Sequence, residues 1–152
     1  MSNPLIVKDT ITIKRSAPAV WDMLTNPAQT KRYMFGCEAL SDWKPGSPLL
    51  WKGNFNGVEL VAVKGIVKKI DPPRLLVYTA IDPNNSAIPD IADNYLTVTC
   101  ELEEEEGATR LTISQGDYNT VADGANRYNH TVSGGGWAPL LVEIKKLVES
   151  DL

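Results

Sequence analysis

The sequence predicts an α+β domain in which a curved antiparallel β-sheet wraps around one long C-terminal α-helix, with two short helices after the first strand. Three observations carry this reading. Trp137, Leu140, Leu141, Ile144, Leu147 and Val148 recur at helical spacing, with Glu143, Lys145 and Lys146 between them, as in a helix that buries one face. Nearly everything from Trp43 to Tyr118 reads instead as strands and hairpins. Gly65 falls inside the longest of these strands, where a glycine marks a bulge or bend. One helix laid across a curved sheet covers its apolar face, and the space between them can become a ligand pocket.

The elements follow in order. Residues 6–14 read as a first strand, with Ile11 and Ile13 on one face and Thr10, Thr12 and Lys14 on the other. Ser16 can cap a short helix with Pro18 in its first turn and Val20, Trp21 and Leu24 as its apolar stripe. Asn26 and Pro27 stop that helix and start a second one reaching about Tyr33. A turn-rich stretch over 42–48 leads into the hairpins. Asn56-Gly57, a strong two-residue turn signal, links a strand around 50–55 to a long one over 58–70. Asp71-Pro72-Pro73 turns the chain into a strand over 75–81, and 82–93 reads as a mobile loop. Strands over 95–102 and 109–116 form the last hairpin, closed by a glutamate-rich tip that reads as solvated. The final helix starts either at Trp137 or near Asn126. The second is preferred, with a kink at Gly134, Gly135 and Gly136.

The chain of 152 residues is one domain spanning 1–152, with 43% hydrophobic and 22% charged residues. Its net charge of −4 and lack of a basic run speak against nucleic acid and anionic membranes as partners. No secretory signal and no apolar run of membrane-spanning length is visible. Cys37 and Cys100 are far apart and outside any CxxC arrangement, so both read as reduced thiols of a cytoplasmic protein, Cys100 buried in a strand. A lone histidine and no Cys/His cluster give no metal site, and no cofactor motif occurs. No catalytic residue is assigned. His130 is the sharpest candidate for acid–base work; the alternative is a partly exposed histidine near a helix start.

Four segments resemble a known family. Residues 16–25 (Ser-Ala-Pro-Ala-Val-Trp-Asp-Met-Leu-Thr) look like its opening helix. Residues 65–78, from Gly65 through Val67, Ile70, Pro72, Pro73 and Leu76 to Tyr78, match its G-x-V-x-x-I-x-P-P-x-x-L-x-Y segment. The hairpin strands at 96–102 and 107–113 match, and Gly136-Trp137 opens the last apolar stripe as in that family. The chain therefore resembles, over about residues 8–149, the proteins similar to the C-terminal domain of the activator of Hsp90 ATPase. These sit within the START/Bet v 1-like (SRPBCC) superfamily of helix-grip folds. The resemblance implies the fold; function does not follow from it, because this fold hosts carriers, receptors, cyclases and co-chaperone modules.

Strand parity selects a candidate site. If Leu76 faces inward so do Tyr78 and Ala80, and if Leu111 and Ile113 do so, so do Gln115 and Asp117. The expectation is a cavity between the C-terminal helix and the sheet that binds an apolar or aromatic small molecule. Trp51, Tyr78, Trp137 and Leu141 would wall it, Tyr33 and Phe35 would sit near its mouth, and Gln115 would orient a polar group. A cyclase- or hydratase-like enzyme would use the same cavity, drawing on Asp82, Asp117, Tyr78 and His130. An Hsp90-type co-chaperone or other protein-interaction module is the third reading. A chaperone partner and a homodimer stay open.

Overall fold

The computed structural model describes residues 4–150; the expected domain span of 1–152 reaches beyond them at both ends. The elements are β1 (Val7–Ile13), α1 (Ala17–Thr25), α2 (Pro27–Thr30), β2 (Glu38–Ser41), β3 (Pro48–Phe55), β4 (Val58–Asp71), β5 (Leu75–Ala80), β6 (Leu96–Glu105), β7 (Ala108–Gly116), α3 (Gly124–Ser133) and α4 (Ala138–Ser150). Short 3-10 turns lie at Ala92–Asn94 and Tyr118–Thr120. Among the described residues the seven strands form one antiparallel sheet, in the order β1-β7-β6-β5-β4-β3-β2. From β2 to β7 each strand pairs with its sequence neighbour, and β1 returns to close the β7 side.

Alternation works as the sequence predicts. Leu76, Tyr78 and Ala80 of β5 are buried, as are Leu111 and Ile113 of β7 and Val98 and Cys100 of β6. The face they share is covered by α4 through Leu141, Ile144 and Val148. Each such side chain contributes roughly 1.5–3 kcal/mol when fully buried. Asn56 and Gly57 both have positive φ, 54° and 83°, the backbone that lets a two-residue turn follow the twist of its strands.

Gly65 does more than allow a bend. The register shifts fall on either side of it, at Trp51/Lys52 opposite β4 and at Val67/Lys69 within β4. At Gly65 itself a Cβ would lie 1.6 Å from the Thr79 carbonyl oxygen. This close approach is where β4 passes from pairing with β3 to pairing with β5.

One local expectation is corrected. Ser16 stands at the N-cap of α1, but its side chain makes no capping bond. The Ala17 N–H donates instead to Glu104, where the positive end of the helix dipole favours a carboxylate. The glutamates of the tip are exposed, as the sequence predicts, with Glu103 paired to Arg110 at 2.6 Å on the surface. Asn26 does cap α2, accepting from the Ala28 N–H at 3.0 Å.

The C-terminal region is two helices, not one kinked helix. Gly135 and Gly136 have φ of 95° and 63°, left-handed values that end a right-handed helix. A Cβ at Gly136 would meet Asp9 Oδ2 at 2.8 Å and Val7 Cγ1 at 3.0 Å, so the turn sits directly on β1. Asp9 Oδ2 then accepts the Trp137 N–H at 2.9 Å, while the Trp137 carbonyl accepts the first α4 bond from Leu141. Asp9 thus caps α4 from another element. Asp9→Ala is expected to lower stability by about 1 kcal/mol, read as a lower urea midpoint, with Asp9→Asn recovering most of it.

Candidate functional site

Beneath α4 the expected cavity is nearly filled. About 20 Å³ remains, lined by Tyr33, Trp51, Tyr78 and Trp137 together with residues such as Cys100 and Ile144; that is room for about one water. Trp51 and Tyr78 lean on each other with ring centroids 6.2 Å apart. Tyr33 Oη donates to the Met23 carbonyl at 2.9 Å, and Leu141 is 1% exposed in the same core. Burial, before any nearby charge, raises the Tyr33 and Tyr78 phenols well above the usual range. It pushes the Cys100 thiol up to about 12 and raises Cys37, so these groups stay neutral near pH 7. Both cysteines are free and buried.

A larger space opens beside this core, under α3. It is a cleft of about 510 Å³. Val63, Ala80, Ile81, Leu96 and Tyr118 give it an apolar floor, and Asp82, Asn85, Gln115, Asp123, Arg127 and His130 a polar rim. The approach of α3 depends on Gly124, where a Cβ would lie 1.7 Å from the Tyr118 carbonyl oxygen. Tyr118 packs edge-on against Tyr128 at 5.5 Å, and its hydroxyl is 3.2 Å from that of Thr131. Asn94, 5% exposed, knits the walls together. Its Oδ1 accepts from the Ala122 N–H at 3.0 Å and its Nδ2 donates to the Pro89 carbonyl at 2.9 Å. Arg127 donates to the Ala122 carbonyl at 3.2 Å and the Asn94 carbonyl at 3.4 Å.

The expected site residues divide between these places. Tyr33, Trp51, Tyr78 and Trp137 meet in the core remnant. Gln115 lines the cleft and accepts from the Trp137 indole N–H at 3.0 Å, so one bond joins the cleft to the core. Phe35 has φ 56° in the turn after α2, is 79% exposed and lines neither space. His130 lies in the last turn of α3, not near its start, and shares the cleft with Asp82. Asp117 Oδ1 accepts from the Leu5 and Asn119 N–H groups at 2.9 Å each. Sequence reasoning missed Asn85, which the segment after β5 brings to the cleft, and Asp123 and Arg127, which reach it because α3 is a separate helix.

The 82–93 segment is anchored. Ile88 is buried, and Asn84 Nδ2 donates to the Val61 carbonyl at 2.8 Å. Asp90 accepts from Lys64 Nζ and Tyr95 Oη, each at 2.5 Å. These bonds hold the Asp90 carboxyl below the usual carboxylate range, the Lys64 bond having the larger effect. A lowered folded-state value means the contribution is present above the unfolded carboxylate pKa and lost as pH falls through the folded one. The stability difference between the native chain and Asp90→Asn is expected to shrink between about pH 5 and pH 2, as urea midpoints taken across that range would show.

Comparison with known proteins places this architecture. The family model described as activator of Hsp90 ATPase homolog 1-like protein matches residues 14–149. The chain belongs to this AHSA1-like family. The solution structure of ChR145 from Cytophaga hutchinsonii is similar to this AHSA1-like chain at 28% identity and TM-score 0.74, covering 99% of this chain and 98% of that one. An Aha1 dimer from Colwellia psychrerythraea shares the fold at 18% identity and TM-score 0.67, covering 95% and 96%. PFC0360w, an HSP90 activator from Plasmodium falciparum, does so at 20% identity and TM-score 0.57, covering 74% and 72%. No curated protein matches. Among the described residues no helix is long and apolar enough to cross a membrane, and no group of three or more His, Cys, Asp or Glu residues could hold a metal ion.

Proposed function

We propose that this AHSA1-like chain binds an amphipathic small molecule in the cleft under α3. The observation that carries this is the cleft itself: about 510 Å³, an apolar floor from the sheet and a polar rim from α3 and the segment after β5. Small-molecule sites take this form, at about 300–1,000 Å³ with a few converging polar groups. The ligand's apolar part would rest on Ala80, Ile81 and Leu96, and Gln115 would orient its polar part. Tyr33, Trp51, Tyr78 and Trp137 around the 20 Å³ remnant, with Leu141 in the same core, would back the cleft through the Trp137–Gln115 bond rather than touch the ligand, and Phe35 lies outside the contact. A cytoplasmic location fits the two buried free thiols.

Native mass spectrometry of protein purified gently from its host tests this. A reproducible small-molecule adduct is expected, and it should be lost in His130→Trp, which crowds the rim from an exposed position. An adduct that survives that change, or a protein that stays unliganded through a screen of amphipathic compounds, overturns the reading.

The family match favours a second reading, a co-chaperone module. It predicts that the purified chain raises the ATPase rate of an Hsp90-type chaperone from its host; an unchanged rate at saturating chain counts against it. For a cyclase- or hydratase-like enzyme, Asp82 and His130 share the cleft, but Tyr78 lies in the core and Asp117 is spent on backbone N–H groups. A homodimer, as in the Colwellia neighbour, is tested by sedimentation.

A further inference from the structure

We infer that the outer face of the sheet carries a second, separate binding site for an amphipathic carboxylate. Register places Leu40, Leu50 and Lys64 in one row across β2, β3 and β4, and Pro48 opposite Ile66 in the next. These side chains share the face turned away from α4. An outer sheet face is ordinarily shallow, but here the anchored 82–93 segment rises beside it through Asp90, Ala92 and the adjoining Tyr95. The result is a groove of about 540 Å³.

Leu50, Ile66 and Pro48 give this groove an apolar base. Ile66 is 37% exposed, and Leu40 and Ile91 beside it are 38% and 53% exposed. Leu40 is opposite Leu50 in register and Ile91 stands between the lining residues Asp90 and Ala92, so both adjoin the groove. The charged groups lining it are Lys64, Lys68 and Asp90. Asp90 is already held by Lys64, which leaves Lys68 and one net positive charge in a groove on a chain of net charge −4. The complement is one anionic head joined to an apolar body: the carboxylate pairs with Lys68, and the chain or ring lies on Leu50 and Ile66. The site is independent of the α3 cleft, which faces another side of the 82–93 segment.

Octanoate is the probe. In a ¹⁵N-edited NMR titration, saturable shifts are expected at Ile66, Lys68, Thr79 and Tyr95. Lys68→Glu should weaken binding roughly tenfold, as should octanol in place of octanoate, with Lys44→Glu as the unchanged charge control. Dispersed spectra confirm that each variant is folded. The inference is overturned by shifts that do not saturate, by shifts centred on Asp82 and His130, or by an affinity indifferent to Lys68→Glu.

Discussion

Gly65→Ala is expected to be the most damaging small substitution in the chain. Its Cβ would stand 1.6 Å from the Thr79 carbonyl oxygen and 2.4 Å from the carbonyl carbon. Both are backbone atoms, so no rotamer change relieves the overlap. The strands must part, and the Lys64–Ile81 bridge, whose N–H···O bonds are 3.0 and 2.9 Å, lies at that point. Ile66 N–H also donates to Thr79 Oγ1 at 3.0 Å there. A loss of about 3 kcal/mol or more follows, read as a large fall in urea midpoint or as failure to fold. Gly134→Ala is the control. Its φ is −81° and its nearest contacts would be 3.6 Å, so the change should stay within about 0.5 kcal/mol.

Ile144→Ala is expected to cost about 3–4 kcal/mol and to create a function the native core lacks. Ile144 is fully buried on α4 and borders the 20 Å³ remnant among Trp51, Tyr78 and Trp137. Removing its outer atoms enlarges an existing apolar void that aromatic neighbours cannot collapse to fill. Apolar cavities of this kind stay dry and take up benzene. Benzene should therefore raise the melting temperature of the variant and leave that of the native chain unchanged. Equal responses would mean that the native core already opens to such ligands.

These two sites show what was readable in the sequence and what was not. Spacing alone reports which face a side chain takes, so the inward set Leu76, Tyr78, Leu111 and Ile113 and the α4 stripe were legible. So was the Asn56-Gly57 turn, because its backbone demand is local. Whether inward aromatics line a pocket or fill it depends on how their volumes meet across four elements, which no spacing encodes. The same holds for Glu104 capping α1 and Asp9 capping α4, partners 87 and 128 residues apart in sequence. The cleft was missed for a nearer reason. Gly134 to Gly136 read as a kink in sequence, whereas the left-handed Gly135 and Gly136 end α3 and free it to lie elsewhere. Asp82 and His130 carry groups suited to acid–base work, yet nothing in the sequence says that they face one space.

Asn94 gives the cleft a collective behaviour. Its side-chain amide bonds the segment before β6 and the turn before α3, and its main-chain carbonyl accepts from Arg127 of α3. Breaking either side-chain bond strands a buried amide, so the other loosens with it. The walls then open as one cooperative unit of native-state hydrogen exchange while the sheet stays closed. Amides of α3 and the 3-10 turn at Ala92–Asn94 should share one opening free energy, below that of β5 to β7. Asn94→Ala should lower that shared value first, and both walls should respond by the same amount.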